Sequence, residues 1–346
     1  MMSCHPEQSE GSQSLDERRE TEDRIKSPVP GLRSPVRFAA LDLGSLTVRL
    51  AIAEKNSSGG CRILLHRREI TGLAQGLAQT GDLAPEGMER TFRALQIFGQ
   101  VLADYQVARY RAVATHAVRA AGNGAAFLER LRVEIGLSVE VLPPEAEARL
   151  SLQGVLSALA AKYLATPILV FDVGGGSSEF ALVRPGQEPR FASLPLGVLT
   201  LPQAHQGEPP APEKVAALHA DLAGKLRRFR DQAFPADRCD AARLVGTAGA
   251  VTTLAAMHLR LTAYEPQRVN NLVLTREQVA ELAGLISSLP EAERARLPGI
   301  EPAKAGVMVA GVLIILSIME VFGQDSLVVV DAGLIEGVLA SFESQD

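Results

Sequence analysis

Hydrophobic and polar positions divide the chain into an unpatterned first segment and a long patterned remainder. Residues 1–35 mix charges with Ser and Pro and hold no apolar run, so burial there cannot offset the entropy of ordering, and a disordered tail is predicted. The same stretch lacks the apolar core of a signal peptide and is too acidic for an organellar transit peptide. From Phe38 to Asp42 a short apolar run ends in Asp-x-Gly, and Val48 to Ala53 alternates, which predicts two strands joined by a tight turn. Asn56 to Gly60 reads as a second turn and Cys61 to Ile70 as a third strand. Apolar residues then recur at helical spacing between Pro85 and Ala103, at Met88, Phe92, Leu95, Phe98, Val101 and Leu102. A buried strand is predicted at Tyr110 to Thr115, a helix around Phe127 to Leu131, a strand at Ser138 to Leu142, and a long helix from Glu145 to Leu164. The order is β-β-β-α-β-α-β-α.

The pattern then restarts. Ile168 to Ser177 repeats the strand plus Asp-x-Gly arrangement of Ala40 to Ser45, and 172 minus 42 gives an offset of 130 residues. An alternating strand follows in both copies, Val48 to Ala53 in one and Glu179 to Val183 in the other. Self-similarity at domain length implies duplication of a β-rich α/β unit, with the first copy over 36–164 and the second over 165–346. The last helix is expected to pack back on the first unit. The second copy continues with a helix from Pro212 to Arg230, a strand at Arg243 to Val245 entering Gly246-Thr247-Ala248-Gly249, a further helix, and a strand at Leu327 to Val330. Ala305 to Phe322 is apolar except for Ser317 and Glu320, yet it is only just long enough to span a bilayer. Its Gly306, Ala310 and Gly311 suit tight helix packing, so a buried core helix is expected there.

Composition narrows the partners. The 346 residues are 47% hydrophobic and 22% charged with a mean hydropathy of +0.10, which fits two globular domains and excludes collagen, coiled coil and wholesale disorder. Thirty-five basic against forty acidic residues leave a net charge of -5, so no global positive field invites nucleic acid or a membrane surface. Any polyanion must be held locally. Only six of the basic residues are lysines, a bias that guanidinium recognition of phosphate or simply an Arg-favouring genome would produce. Cys4, Cys61 and Cys239 match neither a disulfide framework nor a zinc site, and a reducing cytoplasm is the expected location.

The candidate chemistry lies in the glycine turns. An Asp-x-Gly turn after a buried strand places a carboxylate at the strand's carboxyl end, beside backbone N–H groups. Glycine lets the backbone approach phosphate oxygens, a Ser hydroxyl adds a donor, and the Asp can hold Mg2+ that neutralises phosphoryl charge. One such turn is more readily a structural hairpin; two copies on duplicated halves reverse that preference toward phosphate binding. The candidates are Gly44 and Ser45 beside Asp42, and Gly174, Gly175, Gly176 and Ser177 beside Asp172, with the two aspartates as metal ligands. A third cluster, Gly246, Thr247 and Gly249, follows a strand and precedes a helix, where an anion can sit at the helix N-terminus.

The duplicated unit and its glycine turns resemble the actin, Hsp70 and sugar-kinase superfamily. Within it the chain is similar to the exopolyphosphatase and guanosine pentaphosphate phosphohydrolase (Ppx/GppA) family. Seven segments carry this resemblance in order: AALDLGSLTVRLAIAE (39 to 54), VATHAVRAAGNGAAFLERL (113 to 131), PPEAEARLSLQGV (143 to 155), LVFDVGGGSSEFALV (169 to 183), LVGTAGAVTTLAAM (244 to 257), LPGIEPAKAGVMVAGVLIIL (297 to 316) and DAGLIEGVL (331 to 339). The resemblance implies an α/β fold of two duplicated ribonuclease H-like, actin-like ATPase domains around a cleft. It puts the family's phosphate loops on the two turns above and its Thr-x-Ala-x-Arg element on Thr115, Ala117 and Arg119, with Arg119 forking onto phosphate oxygens. It puts the general base on Glu147, and a second acidic residue near the metal or attacking water on Glu179. The implied activity is Mg2+-assisted hydrolysis of a terminal phosphoanhydride of inorganic polyphosphate or guanosine pentaphosphate. The family also suggests a homodimer, in a short form without a further C-terminal module.

Several positions depart from the family's pattern. Leu46 and Thr47 stand where the first loop has an amide and a second hydroxyl, and Val269-Asn270-Asn271 stands for Val-His-Gly. Lys304-Ala305-Gly306 replaces Arg-Ala-Asp, and Ile335 replaces the Arg of the closing Arg-Glu-Gly. The expectation is that the outer anion anchors have thinned while the catalytic carboxylates remain. Two other readings stay open: an ATP-dependent phosphotransferase with adenosine at the Gly246 cluster, and a non-catalytic sensor of a phosphorylated nucleotide.

Overall fold

The two Asp-x-Gly strands each become the central strand of a mixed sheet in the computed structural model, which describes residues 36–55, 61–201, 208–235 and 239–342. The tail expected over 1–35 and the turn expected at 56–60 lie outside the described residues. In the first sheet β1 (Arg37–Leu43), β2 (Thr47–Lys55) and β3 (Cys61–Ile70) run antiparallel, while β4 (Arg109–Ala114) and β5 (Val139–Val141) add in parallel, giving the order β3-β2-β1-β4-β5. The second sheet repeats this with β6 (Ile168–Val173), β7 (Ser178–Val183), β8 (Arg190–Leu194) and β9 (Arg243–Thr247). It gains β10 (Val273–Thr275) and β11 (Ser326–Val329), in the order β10-β11-β9-β6-β7-β8. The helices of the first half are α1 (Leu77–Thr80), α2 (Pro85–Asp104), α3 (His116–Ala120), α4 (Gly124–Ile135) and α5 (Pro144–Ala158). Those of the second are α6 (Pro212–Ala233), α7 (Ala248–His258), α8 (Pro266–Val269), α9 (Arg276–Ser288), α10 (Glu291–Arg294), α11 (Met308–Val321) and α12 (Leu334–Ala340).

Both faces of each central strand are covered, which is why β1 and β6 read as continuous apolar runs. On one face of the first sheet Ala39, Leu41, Leu43, Val48, Leu50 and Ile52 pack with α2 and α4; on the other Phe38, Ala40, Ala51 and Ala53 pack with α12. In the second sheet Leu169, Phe171, Val173, Phe180 and Leu182 face α6, α7 and α11, whereas Ile168, Val170 and Ala181 face α5. The chain therefore crosses over twice. Helix α5 precedes β6 and buries Leu152 and Val155 on the second sheet, and α12 follows β11 and buries Leu334, Ile335, Val338 and Leu339 on the first.

These crossover helices touch through glycine. A Cβ at Gly154 would overlap the carbonyl oxygen of Gly333, and one at Gly337 would overlap that of Leu150. The apolar stretch flagged as a membrane candidate forms α11 and the 3-10 turn before it, Pro302–Val307. It is long and apolar enough to cross a membrane by length and composition, and most of it is buried inside the second half, against α6, α7 and α9.

Some elements differ from the sequence-based expectation. The long helix stops at Ala158 because the Ala158 carbonyl accepts from Nδ2 of Asn271 at 3.0 Å and of Asn270 at 3.3 Å, while Ala160 N donates to Asn271 Oδ1 at 2.8 Å. Asn271 itself has φ +64, a left-handed conformation that Asn tolerates where the family has Gly. Ile335, where the family's closing motif has Arg, lies in the apolar layer between α12 and the first sheet. Its side chain is buried with Phe38, Ala40 and Val113, a layer in which a guanidinium would have no water.

Two substitutions test this packing. Gly337→Ala forces a methyl against the Leu150 backbone and is expected to cost about 2–3 kcal/mol in urea unfolding; an unchanged midpoint would mean that the helices separate freely. Ile335→Arg is expected to cost about 3 kcal/mol or more by burying a charge, and a gain in stability would contradict the core placement.

Candidate active site

Each Asp-x-Gly hairpin closes in the same way. Gly44 N donates to Thr47 O at 3.0 Å and Gly174 N to Ser177 O at 2.9 Å, again 130 residues apart by 174 minus 44. The two turns meet across the cleft: a Cβ at Gly175 would lie 2.7 Å from Ser45 Cβ and 3.1 Å from Leu46 N. The first turn is buttressed from behind, with Ser45 O accepting from Ala74 N at 2.9 Å and Leu46 O from Thr71 N and Gly72 N at 3.0 and 2.9 Å. Leu46, where an amide was expected, packs against the core of the second half, so a polar group has been exchanged for a contact between the halves. The imidazole of His116 lies over Gly176, where a Cβ would be 3.0 Å from its Cγ, and a cavity of about 140 Å3 opens beside it between Ala74, Leu77, Leu199 and Thr200.

Strand register carries the carboxylates to one place. Asp42 pairs with Arg49 across β1 and β2, and Asp172 pairs with Glu179 across β6 and β7. Directly opposed residues share a sheet face, and by alternation this is the face that the crossover helices cover. The first turn of α5 adds Glu147 and the first turn of α12 adds Glu336. Asp42 Oδ1 is buried with no hydrogen-bond partner. Asp172 Oδ2 accepts from Ser151 Oγ at 3.1 Å, Glu179 Oε1 from Ser193 Oγ at 3.1 Å, and Glu336 Oε2 from Gly333 N at 2.7 Å. Arg119 Nη1 donates to Leu142 O at 2.6 Å and to Glu147 Oε2 at 3.0 Å, so this cation is tethered to the candidate base.

Burial and mutual repulsion shape the protonation of this group. Asp42 is pushed up to about 6 by burial, with Asp172 and Glu336 adding to the rise and Arg49 opposing it. Burial raises Glu147 to about 7 against the Arg119 hydrogen bond, and Glu179 to about 8, where Glu147 and Asp172 reinforce it. Asp172 is raised as well, chiefly by burial. Burial opposes the charge of Arg49, yet Asp42, Glu336, Asp172 and Asp331 together hold its guanidinium above the ordinary value.

This donor set fits a divalent cation. Among the described residues no cluster of three or more His, Cys, Asp or Glu side chains is preformed to coordinate an ion. Mg2+ needs no such cage, because one or two carboxylates plus water and substrate phosphate satisfy it. The unpartnered oxygen of Asp42, and the rise that neighbouring Asp172 adds to it, are what such an ion would relieve.

The third glycine cluster divides. Gly246 lies inside β9, where a Cβ would sit 2.7 Å from the Phe171 ring, and buried Thr247 donates its hydroxyl to Ala332 O at 2.6 Å. Packing accounts for both. Gly249 lies beside Lys304, whose Nζ is 3.6 Å from where a Cβ on Gly249 would be. Lys304 is buried, and burial together with Arg68 lowers its ammonium to about 8. The missing carboxylate of position 306 has a neighbouring substitute, since a Cβ on Gly306 would lie 3.2 Å from Glu291 Oε1. A larger apolar groove of about 640 Å3, between α6, α9 and α11, contains none of the predicted residues.

Arg49 and Glu336 were not among the candidates. Arg49 was within reach of sequence reasoning, because pairing the strands about the turn Gly44 to Thr47 sets it opposite Asp42. Glu336 required knowledge of where α12 packs.

Comparison with known proteins places this geometry. Residues 51–345 match the model of the Ppx/GppA phosphatase family. Exopolyphosphatase 2 of Mycobacterium tuberculosis is 30% identical over 325 residues, covering 88% of this chain and 98% of that protein. The crystal structure of the Aquifex aeolicus member of the Ppx/GppA family is 34% identical with a TM-score of 0.74, covering 90% of this chain and 99% of that one. An exopolyphosphatase structure from Cytophaga hutchinsonii has a TM-score of 0.79 at 22% identity over 89% of this chain and 98% of that one, a likeness of fold. The architecture is thus an α/β one shared with a solved member of this family, built on two mixed sheets.

The raised carboxylates predict a pH signature. Glu179 binds its proton more tightly in the native than in the unfolded chain, so its contribution is fully present below its unfolded value of 4.5 and is lost as pH rises through about 8. Glu179→Gln is expected to raise the Tm of metal-free protein at pH 9 by about 2 °C or more, with little gain at pH 4. A lower Tm at pH 9 would contradict the repulsion described.

Proposed function

Since the chain belongs to the Ppx/GppA phosphatase family, we propose that it is a phosphoanhydride hydrolase that removes the terminal phosphate of inorganic polyphosphate or of guanosine pentaphosphate, the former being the better supported by its relatives. The observation that carries the reading is Glu147. It is a buried carboxylate held by Arg119 at 3.0 Å, raised to about 7, at the meeting of two phosphate-type turns.

The chain's own residues divide the work. Backbone N–H groups of the turns at Ser45 and at Gly175 to Ser177 bind the terminal phosphate, and Arg119 balances charge on its equatorial oxygens. Glu147 accepts the proton of water as its oxygen bonds to the terminal phosphorus and the bridging P–O bond breaks, leaving orthophosphate and a chain shorter by one. Glu179, protonated up to about pH 8, orients that water by hydrogen bonding. Asp42 and Asp172 would hold Mg2+, which when bound supplies positive charge to the phosphoryl oxygens. Arg49 keeps Asp42 ionised and faces the phosphates beyond the first. Lys304, beside Gly249, adds a cation on the opposite wall.

Orthophosphate release from polyphosphate, guanosine pentaphosphate and ATP with Mg2+ tests the reading, and turnover of ATP alone would favour a phosphotransferase instead. Glu147→Gln is expected to lower kcat by about 10²-fold or more while thermal stabilisation by tripolyphosphate persists. In the parent enzyme kcat/KM should fall about tenfold per pH unit below about 7, because only the ionised carboxylate accepts a proton. Undiminished turnover in the variant would remove Glu147 from the role of base.

A further inference from the structure

Arg68 of β3 and Lys304 before α11 converge on a single carboxylate. Arg68 Nη2 donates to Glu301 Oε2 at 2.7 Å, and Lys304 Nζ lies 3.3 Å from the same oxygen. The first contact spans the cleft, since Arg68 belongs to the first sheet and Glu301 to the turn that leads into α11. Both partners remain open to water, with side chains 42% and 37% exposed, so a ligand entering the cleft can reach them.

The position of Arg68 is set by register. Asp42 pairs with Arg49, and Arg49 pairs in turn with Arg68, so the three lie in one row across β1, β2 and β3. At about 4.8 Å between neighbouring strands, Arg68 stands about 10 Å out from Asp42. The row thus leads from the reacting centre to a second cationic place, completed across the cleft by Lys304. Lys304 feels both Arg68 and Arg49 as like charges. Glu301 neutralises the outer two. It belongs to neither the carboxylate centre nor the apolar core.

We propose that Glu301 is a specificity-determining residue: in the free protein it occupies the Arg68–Lys304 pair, and a phosphoanhydride chain long enough to reach that pair binds by displacing it. This rests on the reading of the cleft as a phosphoanhydride site. The internal carboxylate competes with the distal phosphates of long substrates and leaves short ones, which do not extend about 10 Å from the aspartates, unaffected. Arg68 acts on affinity through those distal phosphates, and Glu301 acts through Arg68 and Lys304.

The test compares binding of orthophosphate and of long-chain polyphosphate by calorimetry, and KM and kcat for polyphosphate, in wild type, Glu301→Gln, Glu301→Asp and Arg68→Gln. Glu301→Gln is expected to tighten long-chain binding about three- to fivefold and Arg68→Gln to weaken it by a similar factor. The shifts should appear in KM more than in kcat, orthophosphate binding should not follow them, and Glu301→Asp should restore the parent affinity. A bridge that merely held the halves together would move both Gln variants in the same direction, and that result, or unaltered affinity in Glu301→Gln, overturns the proposal. If polyphosphate is not hydrolysed at all but the two binding shifts keep their opposite signs, the catalytic reading fails and the competition by Glu301 stands.

Discussion

Asp42, Glu147, Asp172 and Glu179 are carboxylates kept from water where two strand ends meet the start of a helix, and like charges in such a place repel. All four are raised above their ordinary values, chiefly by burial. A fold that needed only stability would place apolar groups there. Arg49 and Arg119 offset part of the repulsion, and what remains is a centre short of positive charge. The same deficit explains how a chain of net charge -5 can accommodate a polyanion: the positive field is local, made of loop amides, Arg49, Arg119 and any bound ion.

Holding repelling groups together requires rigid supports, and these are the crossover helices. Glu147 and Glu336 stand in the first turns of α5 and α12, so their positions follow those of the helix axes. The axes are fixed by backbone contact at Gly154, against the Gly333 carbonyl, and at Gly337, both closer than a residue with a side chain would allow. Asn271 fastens the far end of α5 to the second sheet. These contacts tie the two sheets together, and the cleft opens at the edge of the layer between them.

Much of the centre was legible because its geometry is local. A buried strand ending in Asp-x-Gly, repeated after 130 residues, is enough to place Asp42 and Asp172 on equivalent hairpins, and the resemblance located Glu147 and Arg119. What could not be read depends on partners distant in sequence. The end of α5 is decided by amides more than a hundred residues away, and the burial of Ile335 depends on where α12 packs on the first sheet. Gly246 had the composition of a phosphate loop, but its missing side chain makes room for the Phe171 ring. The short edge strand β10 offers three residues and no alternation to detect.

Duplication explains one more feature. Two copies of one hairpin should carry the same residues, yet at equal register the first has Arg49 opposite its aspartate and the second has Glu179. Identical backbones have thereby acquired opposite charge. With arginine in both copies the aspartates would be neutralised, leaving no deficit to draw in a metal ion; with glutamate in both, nothing would keep Asp42 ionised against burial. Under the proposed hydrolysis, the unequal pair sets a cation of the first half toward the phosphate chain and an acidic group of the second beside the water. An asymmetric reaction, in which one phosphate leaves and the rest of the chain stays bound, needs that difference between halves that the fold itself made alike.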